Sequence, residues 1–202
     1  MSGEFLTTIG DISNLEGAFN GPFLKGRNQP RVAMVGRSNV GKSTLINALI
    51  GRKLAQVSKE PGKTRSIHFY TWNEAGKIVA DLPGYGFAKT SHTERDRWAE
   101  FVTAYLKQDE NIDRALVLLD SRHGPTDTDL EAIKFLVATR IPLTCVFTKC
   151  DALKNQSMRA IRRREAGEAL KAIGYDPEFA FWVSAETKDG LKKLATELGV
   201  GT

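Results

Sequence analysis

Residues 36 to 43 read Gly36-Arg37-Ser38-Asn39-Val40-Gly41-Lys42-Ser43, which meets the pattern G-x-x-x-x-G-K-[ST] at every position. The chemistry of that spacing is phosphate binding. Its glycines let backbone N–H groups close around phosphate oxygens where a side chain would block the approach. Lys42 has the reach for β- and γ-phosphates, and Ser43 offers a hydroxyl to Mg²⁺. Thr44 continues into a helical stretch whose N-terminus aims roughly half a positive charge at the same place. The pattern has this meaning only between a strand and a helix, and the β-prone Arg31–Val35 and the helical Thr44–Ile50 supply both.

Four further segments complete a set. Pro61-Gly62-Lys63-Thr64 lies in a loop, where the Thr64 hydroxyl or carbonyl can close a Mg²⁺ shell once a γ-phosphate is present; Arg65 and Ser66 adjoin it. Asp81-Leu82-Pro83-Gly84 follows a strand. Asp81 there can hold Mg²⁺ through water, and Gly84 can bring its N–H to the γ-phosphate. Thr148-Lys149-Cys150-Asp151 ends another strand. The Asp151 carboxylate matches the N1–H and 2-amino donors of guanine, and the Lys149 stem can cover the base plane. Val183-Ser184-Ala185 closes the last strand and can give a backbone N–H to the guanine O6. Lys42, Thr64 and Gly84 are the residues expected to act on the terminal phosphate.

Such loops need strands to carry them. Candidates are Val32–Val35, Ser66–Trp72, Ile78–Leu82, Ala115–Asp120, Leu143–Thr148 and Phe179–Val183. Helices are expected over Lys42–Ile50, Glu94–Leu106, Asp127–Ala138, Ser157–Ile173 and Leu191–Leu198. Leu116-Val117-Leu118-Leu119 is apolar without alternation, the mark of a strand buried on both faces. Alternating β and α of this kind predicts a three-layer α/β domain with a mostly parallel six-stranded sheet and helices on both faces. The loop Asn73–Gly76 predicts a hairpin and hence one antiparallel strand. One domain spans 1–202: a lead over 1–29, the core over 30–198 and a frayed tail over 199–202.

Composition fits that picture. The chain has 202 residues with 41% apolar and 26% charged side chains, as expected of a water-soluble α/β protein. Nothing in it reads as a signal peptide or a bilayer span. Cys145 and Cys150 lack the partners of a metal quartet and read as reduced thiols in a cytoplasmic protein. A net charge of +5 tilts toward a polyanionic partner. The stretch 157–173 places Arg159, Arg162, Arg163 and Lys171 outward if Met158, Ile161, Ala169 and Ile173 pack. Such a face is either simply solvated or a contact for RNA. Phe69, Tyr70 and Trp72 on the hairpin read as alternating core and surface residues.

With these residues assembled, the chain resembles a TRAFAC-class GTPase, and closely the EngB (YihA/YsxC) family. The resemblance rests on Gly36–Asn47, Pro61–Thr64, Asp81-Leu82-Pro83-Gly84-Tyr85-Gly86-Phe87-Ala88 and Thr148–Asp151. Asp120-Ser121-Arg122 and Thr126–Leu130 add to it, and it runs from about Pro30 to Ser184. It implies a P-loop GTPase that hydrolyses GTP to GDP with Mg²⁺. It also implies a role with the large ribosomal subunit or its rRNA, needed for cell division and septation, in a protein that is monomeric and not membrane-bound. Gln56-Val57 departs from the family's usual Arg with Thr or Val, and Gln56 is given no role. Tyr85 stands where Ras-like enzymes place the water-orienting Gln, which implies slow intrinsic turnover. Asn39 stands where relatives ligate K⁺ beside the phosphates, so K⁺ is a candidate cofactor. Two rivals remain: a division regulator acting through a protein partner without RNA contact, and a P-loop kinase.

Overall fold

The computed structural model describes residues 3–56, 66–86 and 92–201. In chain order its elements are β1 (Phe5–Ile9), α1 (Leu15–Phe19), β2 (Arg31–Gly36), α2 (Lys42–Ile50), β3 (Ile67–Trp72) and β4 (Lys77–Asp81). There follow α3 (His92–Gln108), β5 (Ile112–Asp120), α4 (Asp127–Ala138), β6 (Leu143–Thr148), α5 (Gln156–Lys171), β7 (Phe181–Trp182) and α6 (Leu191–Glu197). Among the described residues one sheet of seven strands has the order β1-β3-β4-β2-β5-β6-β7.

The sheet is parallel from β4 through β2, β5 and β6 to β7. β3 pairs antiparallel with both β4 and β1, so β3 alone opposes the others. The expected antiparallel strand is therefore present, but the expected count of six is one short. The extra strand comes from the lead, where Phe5–Ile9 adds to the edge of β3. Its own pattern concealed it: only Leu6 and Ile9 are buried, and the register shifts between Phe5 and Thr7.

Apolar strand runs without alternation are explained by two cores. Val117 and Leu119 face one cluster with Val35, Phe69, Tyr105 and Phe147. Leu116 and Leu118 face the other with Met34, Ile46, Trp72 and Leu194. Strand residues point alternately to opposite faces, so a strand covered on both sides must be apolar throughout. The same rule corrects the reading of the hairpin. Phe69 enters one core while Tyr70 and Trp72 enter the other, and all three are buried, because β3 lies inside the sheet rather than at its edge.

The basic helix is corrected as well. α5 buries Ala166 and Leu170, one turn apart, while Met158 and Ile161 are 39% and 47% exposed. Arg163 lies over the Trp182 ring, with its guanidinium carbon 5.3 Å from the centroid. Arg159 donates from Nε to the Leu153 carbonyl at 3.3 Å. Arg163 is thus exposed as expected, though it covers a ring, while Arg159 is half-buried against the chain.

At the amino end of the sheet, Arg31 and Asp109 form a buried ion pair, with the Phe19 ring 5.4 Å from the guanidinium. This pair ties α1 to β2 and α3, and losing either partner would strand a buried charge at a cost of about 3–5 kcal/mol. The carboxyl ends of β2, β4, β5, β6 and β7 are left to carry loops, where open parallel sheets bind ligands.

Candidate functional site

At the end of β2 the chain turns through the phosphate loop into α2. Gly41 is the N-cap of α2 with φ 102°, a left-handed conformation that a side chain would resist. Asn39 also has positive φ, at 60°. Lys42, in the first turn of α2, donates from Nζ to the Asp81 carboxylate at the end of β4 and to the Leu82 carbonyl, the latter at 2.6 Å. Ser43 is half-buried beside it and Thr44 exposed. The D-x-x-G loop lies directly on the phosphate loop: a Cβ on Gly84 would sit 3.2 Å from the Gly36 carbonyl and 3.3 Å from the Ser38 nitrogen. Tyr85 N–H donates to the Gly36 carbonyl, and Ser38 N–H donates to the Tyr85 carbonyl, both at 3.2 Å.

The other end is cross-linked by side chains. The Thr148 hydroxyl is hydrogen-bonded to the Val40 carbonyl at 2.6 Å and lies 3.1 Å from the Leu119 carbonyl. This tie from base loop to phosphate loop is short and buried. Lys149 donates from Nζ to the Asn39 carbonyl at 2.6 Å and to Asp120 at 2.9 Å. Arg122 meets Asp120 with Nε and Nη2 at 2.9 and 2.7 Å. Burial opposes ionisation of Asp120, yet the bonds from Arg122 and Lys149 outweigh it and hold the carboxyl well below its usual range. Exposed Asp151 accepts the Ser184 hydroxyl at 2.5 Å.

Several sequence-predicted contacts turn inward. Val183 is fully buried; its N–H donates to Phe147 and its carbonyl accepts from Cys150 N–H, so it supports the loop without facing a ligand. Cys150 is buried and its thiol points at the Phe147 carbonyl. Leu82 and Pro83 are buried too, though the Leu82 carbonyl faces Lys42. Ser184 N–H is spent on the Asp189 carbonyl at 2.9 Å, which leaves the expected guanine O6 donor to Ala185. Gly62, Lys63, Thr64 and Arg65 lie outside the described residues; Ser66 is half-buried just before β3.

Sequence reasoning gave no job to three residues that the structure engages. Asp120 anchors Lys149 and Arg122. Asp129, in α4, is fully buried: it accepts the Tyr85 hydroxyl at 2.9 Å and lies 3.4 Å from Arg37 Nε. Trp98 donates from Nε1 to the Pro83 carbonyl at 2.8 Å. The position of Asp120 at a strand end was a usable signal, and Asp129 stood in the Thr126–Leu130 stretch that adds to the resemblance, but nothing local paired it with Tyr85 or marked Trp98.

Five loops that sequence separates by more than a hundred residues thus share one rim, with a cationic loop at one end and a carboxylate at the other. A family model described as 50S ribosome-binding GTPase matches residues 31–149. A probable GTP-binding protein EngB from Cytophaga hutchinsonii is 50% identical over 171 residues, covering 83% of this chain and 84% of that protein. The chain belongs to the EngB family of GTPases. The crystal structure of a probable GTP-binding protein engB aligns with a TM-score of 0.65 at 28% identity, covering 83% of this chain and 96% of that one. Aquifex aeolicus Era, solved with GDP and AlF₄⁻, aligns at 0.65 and 25% identity over 84% of this chain and 56% of the longer Era chain. As an EngB-family member the protein binds GTP and hydrolyses it. No helix among the described residues is long and apolar enough to cross a membrane.

Proposed function

We propose that GTP lies along this rim, with its base at Asp151 and its phosphates in the Gly36–Ser43 loop. The protein then serves as a slow, nucleotide-dependent switch in assembly of the large ribosomal subunit, in the cytoplasm, on which normal division and septation depend. The observation that carries the reading is the pair of short bonds from Thr148 and Lys149 to the Val40 and Asn39 carbonyls, which bring base loop and phosphate loop together. Guanine is favoured over adenine because Asp151 is an acceptor pair for two donors that adenine lacks in that arrangement. Era's structure with GDP and AlF₄⁻ supports a guanine nucleotide on this fold.

The donor set suits Mg²⁺. Asp81 already faces a cation, the Lys42 ammonium, and Ser43 adds one hydroxyl at the start of α2. Among the described residues no group of three or more His, Cys, Asp or Glu could hold a metal without help. A carboxylate plus a hydroxyl, completed by phosphate oxygens and water, is what Mg²⁺ accepts. Ser43 and Asp81 would hold it with Thr64, and the ion would neutralise charge on the phosphates. Lys42 then shifts from Asp81 to the phosphate oxygens, and Gly84 meets the terminal phosphate with its N–H. Asn39, exposed on the loop, is the proposed K⁺ ligand.

The large-subunit assignment rests on the description of the matching family, 50S ribosome-binding GTPase, and on the net charge of +5. The test is co-sedimentation of the protein with purified large subunits. Retention with a non-hydrolysable GTP analogue and release with GDP are expected. Equal recovery with both nucleotides would remove the switch, and recovery with neither would leave the protein-partner reading in its place.

A further inference from the structure

Tyr85 occupies the position next to the D-x-x-G glycine, yet its ring is turned into the core. It is 6% exposed, packs edge-on against Trp98 at 5.5 Å and donates its hydroxyl to Asp129. Burial, and then the Asp129 charge, raises the phenol far above its ordinary pKa, so it is no proton donor to water at neutral pH.

Asp129 does more than cap a helix. Its Oδ2 accepts from the Thr126 N–H at 2.9 Å and pairs with the Thr126 hydroxyl at 2.7 Å, closing a capping box at the start of α4. Capping boxes work at the surface and give no reason to bury a carboxylate, which costs several kcal/mol. Here the second oxygen, Oδ1, reaches across to two loops of the site, to Tyr85 and toward Arg37. Gly84 therefore lies between two anchors. Pro83 before it is held by Trp98, and Tyr85 after it is held by Asp129. The backbone bonds from Tyr85 to Gly36 and from Ser38 to Tyr85 fix the same loop to the phosphate cradle.

We infer that Asp129 is a positioning residue for the terminal phosphate, acting through Tyr85 and Arg37 to hold the Gly84 N–H against the phosphate loop. GDP has no terminal phosphate for Gly84 to meet. Loosening this anchor therefore weakens triphosphate binding and hydrolysis while diphosphate binding stays as it was. A merely structural role would weaken both alike. The inference rests on the reading that Gly84 contacts the terminal phosphate.

The test uses the full chain and labelled nucleotides. Tyr85→Phe keeps the ring against Trp98 and removes only the hydroxyl; Asp129→Asn keeps the size and removes the charge. Tyr85→Phe is expected to raise Kd for a non-hydrolysable GTP analogue by about 10-fold, the scale of one charge-assisted hydrogen bond. GDP affinity should hold within about twofold, and single-turnover hydrolysis of GTP should fall alongside the analogue's affinity. Asp129→Asn should do the same or more. Equal loss for both nucleotides, or an unchanged analogue Kd in Tyr85→Phe, overturns the inference. Gly84→Ala separates the two levels: if it leaves analogue binding and hydrolysis unchanged, the Gly84 contact itself is wrong. If it abolishes them while Tyr85→Phe does nothing, only the role of Asp129 falls.

Discussion

The two ends of the rim are built from different materials. At the base end, side chains from three strand ends do the tying: Lys149, Asp120 and Arg122 form one network, Thr148 holds the Val40 carbonyl, and Ser184 holds Asp151. At the phosphate end, backbone holds backbone, through Tyr85 to Gly36 and Ser38 to Tyr85, and Lys42 pairs with Asp81. The difference matches the chemistry of the ligand. A planar base is told from its rivals by fixed donors and acceptors, so rigidity serves selectivity. A terminal phosphate is present in one state and absent in the other, so the groups that meet it must have alternative partners. Lys42 has them in Asp81 and Leu82.

The contrast predicts separable losses. Lys42→Ala should cut single-turnover GTP hydrolysis by about 10²–10³-fold, as removal of a transition-state charge donor does, with guanine-over-adenine preference intact. If that preference collapsed as well, the two ends would not be independent. Asp151→Asn should cost GTP affinity by about 10²-fold, two charge-assisted hydrogen bonds being weakened, and should favour XTP, as calorimetry with GTP, ATP and XTP would show. An unchanged order of affinities would remove guanine from the Asp151 position.

Thr148→Val sharpens the comparison, because it cuts one of the two links between the ends. Loss of one buried hydrogen bond should lower stability by about 1–2 kcal/mol and weaken GDP and GTP together, read by denaturant unfolding and labelled-nucleotide titration. Selective loss of GTP alone would place Thr148 with the switch. Asp120 gives a pH signature. Its folded carboxyl pKa lies below the unfolded value near 3.9, so its stabilisation is full above about pH 4 and fades as pH falls further. Between pH 5 and pH 2 the parent should lose about 1–2 kcal/mol more than Asp120→Asn, a range held modest because the partner Arg122 is 45% exposed. Parallel acid curves would show that the network adds nothing.

The smallest effect concerns the thiols. Burial pushes Cys145 up to about 12 and Cys150 up to about 11. Both should therefore resist alkylation at pH 8 in the folded protein and react after denaturation. Rapid labelling of Cys150 in the native state would show that the base loop opens, contrary to its cross-linked geometry.

The segments that carry chemistry were legible because each is a short pattern at a strand end, and both pattern and strand are local properties of the chain. The alternation of β and α, the doubly buried strands and the antiparallel β3 followed from the same local signals. Amphipathic α5 was misread, since its apolar residues suggest two packing faces and only the sheet selects Ala166 and Leu170. β1 was missed because an edge strand buries too little to announce itself. The partners of Tyr85, 44 residues away at Asp129, and of Lys149, 29 residues away at Asp120, depend on which strand lies beside which. A sequence sets residue type and period along one dimension. Which carboxylate answers which hydroxyl or ammonium is fixed only when the sheet order brings distant loops to the same edge.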